Sequence, residues 1–277
     1  MKIIDLSVAI ENDVAADPPG LGPKITYSGH KDGGAEMARF FPGLDMADLP
    51  GGEGWAVEQL TLTAHAGTHL DAPWHFASTM NGGEPAWTID EVPLDWCIRP
   101  GVKLDLRHLP DGHVATVDDI SVAVEKAGRE LRPFDIVLVN TSAGAAYGHP
   151  DYVGRGCGIG REATHWLLSQ GVHITGTDAW SWDAPFSFTS RSYAETRDAG
   201  LIWEGHKAGR DGIFLHMEKL TRLDELPAVG FTISCLPVKI KRASAGWCRA
   251  VALLEQRALA PPVGITLGGS WRKVAMR

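Results

Sequence analysis

The order of apolar and polar positions divides the chain into alternating strand-like and helix-like segments. Ile3 to Ile10 reads as a first strand. Residues 15 to 54 are rich in Gly, Pro and Asp without a clear period, and predict a long loop excursion of the kind that accompanies function or disorder. Leu60, Leu62 and Ala64 then alternate with Thr61, Thr63 and His65, the pattern of a half-buried strand with His65 on its polar face. Val102 to Leu106 predicts a short strand. Over Asp118 to Leu131, the apolar residues Ile120, Ala123, Val124, Ala127 and Leu131 share one helical face behind an aspartate cap. The continuous apolar run in Phe134 to Thr141 predicts a buried strand. Gly160 to Gln170 reads as a second helix closed by Gly171, and His173 to Asp178 as the strand after it. A final pair, Gly230 to Leu236 and Arg249 to Leu254, is expected to close the sheet. Strands alternating with helices define an α/β domain, expected as a single unit over residues 1–277 with no internal repeat.

Composition narrows the class of molecule. Of the 277 residues 44% are hydrophobic, which suits a globular core. The formal net charge of -8, with no long basic run to offset it, argues against a nucleic-acid partner. Lys239-Ile-Lys-Arg242 is the densest basic patch and reads as a solvated strand end. No apolar run approaches the roughly 20 residues needed to cross a bilayer, so no membrane partner is expected. A charge interrupts Met1 to Ser7 too early for a secretory apolar segment, and the four cysteines lack CxxC spacing. A cytoplasmic chain with reduced, buried thiols is the expectation.

The chemistry concentrates in His65-Ala-Gly-Thr-His69-Leu-Asp71-Ala-Pro-Trp-His75, three histidines and one aspartate within eleven residues. Imidazole and carboxylate suit Zn²⁺ and Mn²⁺, and three protein ligands with an open position mark a catalytic ion, which leaves one group for proton transfer. A straight strand rising about 3.3 Å per residue would hold His65 and His69 roughly 13 Å apart. Donor atoms around one ion lie only about 2.0 to 2.2 Å from it. The chain must therefore curl: Gly67 can take a positive φ or form a bulge, and Pro73 keeps Ala72 out of helical geometry. A strand-end loop, unlike the helical HExxH site, is expected. With eleven histidines in the chain some clustering is unsurprising. Four candidate groups of one parity around a glycine nevertheless favour a metal.

The segment HAGTHLDAPWH resembles the HxGTHxDxPxH signature of the cyclase-like metal-dependent hydrolases, which include bacterial kynurenine formamidase and isatin hydrolase. The resemblance runs from Ile4-Asp-Leu-Ser7 to Cys248-Arg-Ala-Val-Ala-Leu-Leu254. It implies a mixed sheet partly rolled into a barrel and packed by helices, of the swivelling β/β/α type. It implies His65, His69 and Asp71 as metal ligands and His75 as proton acceptor. It also implies a second contribution from a histidine and a glutamate twelve residues later, a spacing that His206 and Glu218 have, for one ion or two. From the residues alone, His206 in the polar stretch Glu204 to Gly212 reads as part of a solvated loop. His216 competes with it, because it shares a strand face with Glu218 at a spacing of two. Kynurenine formamidases carry a substrate-contacting tryptophan near the N-terminus. Ala15 to Gly20 has none here, and Phe40 or Phe41 of the excursion could serve instead.

Four aromatics in Trp180-Ser-Trp182-Asp-Ala-Pro-Phe186-Ser-Phe188 follow a predicted strand, where loops build pockets. Trp180, Trp182 and Phe186 are candidates for an aromatic wall against a planar substrate, with core or dimer packing as the alternative. The expected reaction is hydrolysis of a cyclic amide or an N-acyl aromatic amide by a metal-activated water, with His75 as general base. Zn²⁺ or Mn²⁺ is the expected cofactor, a small molecule the expected partner, and a homo-oligomer, dimer or larger, the expected assembly. The alternatives are a cyclase or lyase acting through an enolate with the same residues, and a non-catalytic metal or ligand carrier. A spare base beside the ligands weighs against the carrier.

Overall fold

The computed structural model describes residues 1–255, so residues 256–277 of the expected 1–277 span lie outside it. The first strands are β1 (Lys2–Asp5), β2 (Lys24–Ser28), β3 (Val57–Thr61), β4 (His69–Asp71), β5 (Thr79–Met80) and β6 (Glu84–Pro85). The middle of the chain forms β7 (Ile98–Asp105), β8 (Val114–Ala115), β9 (Ile136–Asn140), β10 (Gly158–Ile159) and β11 (Ile174–Thr177). The last are β12 (Leu215–Glu218), β13 (Phe231–Ser234), β14 (Ala245–Trp247) and β15 (Val251–Leu254). Six α-helices intervene: α1 (His30–Phe40), α2 (Pro73–Phe76), α3 (Val117–Ala127), α4 (Arg161–Ser169), α5 (Phe186–Thr196) and α6 (Glu204–Lys207).

Nine strands form one mixed sheet in the order β1-β15-β13-β7-β9-β11-β12-β4-β14. It curls into a half-barrel with helices packed on it, the α/β architecture expected from the sequence. Strands β7, β9, β11 and β12 run parallel, and β4 joins antiparallel to both β12 and β14. The continuous apolar run of β9 has a direct cause. Ile136 and Leu138 enter one core with Ile174, Leu215 and Met217, while Val137 and Val139 enter another with Val102, Leu104 and Leu167. A strand buried on both faces has no polar side to alternate with. No helix among the described residues is long and apolar enough to cross a membrane.

Several elements differ from the sequence expectation for physical reasons. The excursion of residues 15–54 is not all loop, since it contains β2 and α1. Helix α1 shows no apolar period because its buried residues are Gly33 and Gly34, where the backbone packs closely on Trp55 and Gly52. Strand β3 ends at Thr61, is exposed along its whole length, and pairs with β2 in a separate two-stranded ribbon. Its alternation marked a strand without telling which sheet it joins, and His65 lies in the turn beyond it. The first strand stops at Asp5. Helix α3 is capped by Thr116 rather than by an aspartate: its hydroxyl accepts from Asp119 N, and the Asp119 carboxylate accepts from Thr116 N at 2.9 Å. Gly128 closes that helix in the left-handed conformation, which leaves Leu131 outside it.

Thr116→Ala removes the hydroxyl half of this capping box and leaves the backbone N–H of residue 116 bonded to Asp119. The expected loss is about 1 kcal/mol of unfolding free energy, read from urea denaturation. An unchanged midpoint would show that α3 is held by its apolar face alone.

Candidate metal centre

The signature segment curls as its residues require. Gly67 takes φ +61°, and its carbonyl lies 2.9 Å from Nδ1 of His69. Strand β4 follows and carries His69 and Asp71 inward from one face. Ala72 is extended (φ -95°, ψ 159°), Pro73 opens α2, and His75 sits in that single turn of helix rather than in a loop. His65 returns from the turn before β4, with Nδ1 2.9 Å from Asp71 Oδ1 and Nε2 2.9 Å from Ser244 Oγ.

The second half of the chain closes on the same point. Strand β12 pairs with β4 so that Glu218 lies opposite His69 and His216 opposite Asp71. His206 is not on a solvated loop: it lies in α6 and is fully buried, against the reading from its polar neighbours alone. Asp183 explains this. Its carboxylate accepts from the backbone N–H of Gly205 and His206 and bonds the His206 ring at Nδ1. Trp203 stacks on the His206 ring at 4.6 Å between centroids and meets His75 edge-on at 5.0 Å.

Each fully buried imidazole is clamped through its outer nitrogen. His69 Nδ1 is bonded to Gly67 O, His206 Nδ1 to Asp183, and His216 Nδ1 to Thr175 Oγ1 at 3.0 Å. Each Nε2 therefore faces inward and, among the described residues, none of the three has a hydrogen-bond partner, nor has either oxygen of Asp71 apart from the His65 ring 2.9 Å from Oδ1. Around this point His69 Nε2 lies 3.3 Å from Asp71 Oδ1 and 3.5 Å from Glu218 Oε2. His206 Nε2 lies 3.4 Å from Glu218 Oε1 and 3.8 Å from Asp71 Oδ2. His75 Nε2 is 3.9 Å from Asp71 Oδ2, and His216 Nε2 is 3.7 Å from Glu218 Oε1. Donor atoms at about 2.0 to 2.2 Å from a tetrahedral ion stand about 3.4 Å from one another. Orphaned inward-facing donors at that spacing fit a divalent cation. Two overlapping sets share Asp71, namely His65, Asp71 and His75, and His69, Asp71 and Glu218.

Charge balance supports the same fit. Burial opposes charge on His69 and His206, but Asp71 and Glu218, with Asp183 for His206, outweigh it, so His69 is raised and His206 raised well above the ordinary histidine value. Burial would raise Asp71, yet His75, His69 and the other surrounding imidazoles hold it well below the usual carboxylate range. Burial pushes His75 down to about 4 and His216 to about 3, so both rings are neutral at pH 7. In the protein alone, the raised basicity of His69 and His206 answers the charge of the buried carboxylates.

A cavity of about 220 Å³ opens onto this cluster. Its lining also includes Asp17, Trp180, Phe186, Trp203 and Lys219. Trp180 and Phe186, two of the three candidates for an aromatic wall, line this cavity. Trp182 does not: it is buried in the core, with Nε1 donating to Thr164 Oγ1 at 2.9 Å. Phe40 and Phe41 do not either, since both are exposed at the end of α1 and absent from the cavity wall. A larger depression of about 490 Å³ beside Ser121, Glu125 and Trp166 has no cluster of ligating side chains. Sequence reasoning missed Asp183, Thr175, Ser244 and Trp203, which hold the histidines in place. Nothing in their spacing marks them, because their contacts are made only across the fold.

The chain belongs to the cyclase family, whose model, described as putative cyclase, matches residues 4–184. It is 30% identical over 196 residues to a kynurenine formamidase of Erythrobacter litoralis, covering 70% of this chain and 76% of that one. A kynurenine formamidase of Salinibacter ruber is 27% identical over 198 residues, covering 69% and 77%. Among solved structures, isatin hydrolase A of Ralstonia solanacearum superposes with a TM-score of 0.70 at 22% identity, covering 92% of each chain. An isatin hydrolase bound to thioisatinate, a product analogue, gives 0.69 at 20% identity over 92% of this chain and 93% of that one.

Two measurements probe the cluster. His69→Ala should lower divalent-metal content sharply by elemental analysis, and stoichiometric metal retained in that variant would remove His69 from the centre. Because His69 and His206 have raised pKa values, an incoming cation must displace their protons. Metal affinity should therefore rise with pH from about 6.5 upward, with proton release visible by calorimetry in buffers of different ionisation enthalpy. An affinity flat across that range would contradict the charge balance.

Proposed function

We propose that this chain is a divalent-metal-dependent hydrolase of amides, acting on a cyclic amide or an N-acyl aromatic amide. The observation that supports it most is the set of buried, partnerless Nε2 and carboxylate atoms converging at one point, with the half-buried His75 ring beside them. In this reading His65, His69, Asp71, His206 and Glu218 would hold Zn²⁺ or Mn²⁺, as one ion or two. When bound, the cation would polarise the amide carbonyl and lower the pKa of water toward about 7.

The protein's own groups supply the rest. His75 is neutral at pH 7, so its Nε2 can accept a proton from water and return it to the departing nitrogen. Trp203 fixes the plane of that ring from one side and His65, at 4.0 Å between centroids, from another. His216, held neutral by burial and tied to Thr175, acts in this reading as an uncharged neighbour that orients Glu218. Trp180 and Phe186 offer apolar surface to a planar substrate. The names of the relatives, formamidase and isatin hydrolase, support an amide as the bond attacked. The reading includes a homo-oligomer, for which Tyr27, Phe40 and Phe41 offer exposed apolar surface.

The test is turnover of formanilides and lactams by the metal-loaded protein, with the product identified. Hydrolysis consumes water and yields a free carboxylate, whereas a ring-closing or enolate reaction does neither. His75→Ala should keep its metal while turnover falls by about 10² or more. Loss of metal together with activity would make His75 a ligand and overturn its assignment as base.

A further inference from the structure

The cavity at the candidate metal centre is also lined by a buried ion pair that the reaction above does not use. Lys219 is 1% exposed, one residue beyond Glu218, and its ammonium donates to Asp17 Oδ1 and, at 3.1 Å, to the carbonyl of His65. Its backbone is left-handed at φ +55°, an uncommon conformation for a lysine. Thr68 Oγ1, donating to its carbonyl at 2.7 Å, and its own N–H, donating to Ala179 O at 3.0 Å, keep it there. Burying an ammonium costs several kcal/mol unless it is paired, so Asp17 is held to this spot as firmly as Lys219.

Asp17 is in turn bonded by the cavity's main aromatic side chain. Trp180 Nε1 donates to the same Oδ1 at 3.1 Å, which fixes the indole, and Phe186 meets that indole edge-on at 5.4 Å. Among the described residues no group donates to the other oxygen, Oδ2, and Asp17 lines the cavity. A carboxylate oxygen is therefore free beside an aromatic side chain, in the cavity that His65, His75 and His206 also line.

We infer that Asp17, held by Lys219, is a specificity-determining residue that accepts a hydrogen bond from an N–H of a neutral, planar amide substrate. This rests on the hydrolase reading of the same cavity. Neutrality follows from the charges on the wall. The Asp17 carboxylate is already compensated at contact by the ammonium, so a cationic substrate group placed on Asp17 would meet repulsion from Lys219 at close range. A neutral N–H meets none and gains a bond to an ionised acceptor. Planarity follows from Trp180, whose orientation depends on the same carboxylate. The substrate class is an anilide or lactam that retains its N–H, as against its N-alkylated form.

The test compares oxindole with 1-methyloxindole, two lactams that differ in that single N–H. Binding is followed by tryptophan fluorescence and by calorimetry, on the metal-loaded protein and after chelation, so the readout does not depend on turnover. Wild type should bind oxindole about tenfold more tightly than the N-methyl compound. Asp17→Ala alone leaves an unpaired buried ammonium and can fail to fold, so the deciding variant is Asp17→Ala with Lys219→Met, which replaces the pair by apolar groups. In it the ratio should fall to about one. A ratio that survives in the double variant would make the ion pair purely structural and overturn the assignment, as would equal affinities or no binding in wild type. Failure of the hydrolase reading shows up separately, as absence of amide turnover by a loaded protein that still discriminates the two lactams.

Discussion

The rest of the molecule is organised around the burial of two carboxylates, Asp71 and Glu218, at one point away from water. Each would be costly alone, because an unpaired charge in the interior loses its hydration without compensation. The fold answers with imidazoles on every side. His69 and Glu218 face each other across β4 and β12, His206 reaches in from α6, and His65 and His75 approach from the open side. The same arrangement that tolerates the carboxylates makes a cation attractive, since one divalent ion can replace the protons that otherwise balance them.

That balance depends on sheet register. Strand β4 is three residues long and sits between β12 and β14, so the alternation of faces decides everything at this point. His69 and Asp71 point into the centre while Leu70 enters the apolar core with Met217. A slip of one residue would exchange the two sets and place a carboxylate among Leu and Ile side chains. The outer hydrogen bonds serve the same end, because a histidine whose Nδ1 is bonded to Gly67 O, Asp183 or Thr175 has only Nε2 to offer inward.

The centre and the rest of the cavity lining each draw on both parts of the chain. The family model covers residues 4–184, which include His65, His69, Asp71 and His75, whereas His206, Glu218 and Lys219 lie beyond it. The rest of the lining joins Asp17, from the loop after β1, to Trp180, after β11, and to Lys219, after β12.

What the sequence determined by itself was whatever local order encodes. The segment His65 to His75 announced a candidate cation site through its residue types, and Gly67 announced the curl that such a site demands. The continuous run in β9, the apolar face of α3 and the turn at Gly171 were legible because burial on one or both faces leaves a period in the chain. Tertiary structure decided the rest. His206 looks solvated among Glu, Lys and Gly and is buried only because Asp183, 23 residues away, binds its ring and backbone. Trp182 and Phe40 are both aromatic, yet one enters the core and the other is left at the surface, a choice made by the packing of α4 and by the glycine face of α1. The pairing of Asp17 with Lys219 spans 202 residues. Hydrogen bonds and ion pairs across such distances leave no period in the sequence, because they follow from where the sheet brings its strand ends together, and only the folded chain sets that.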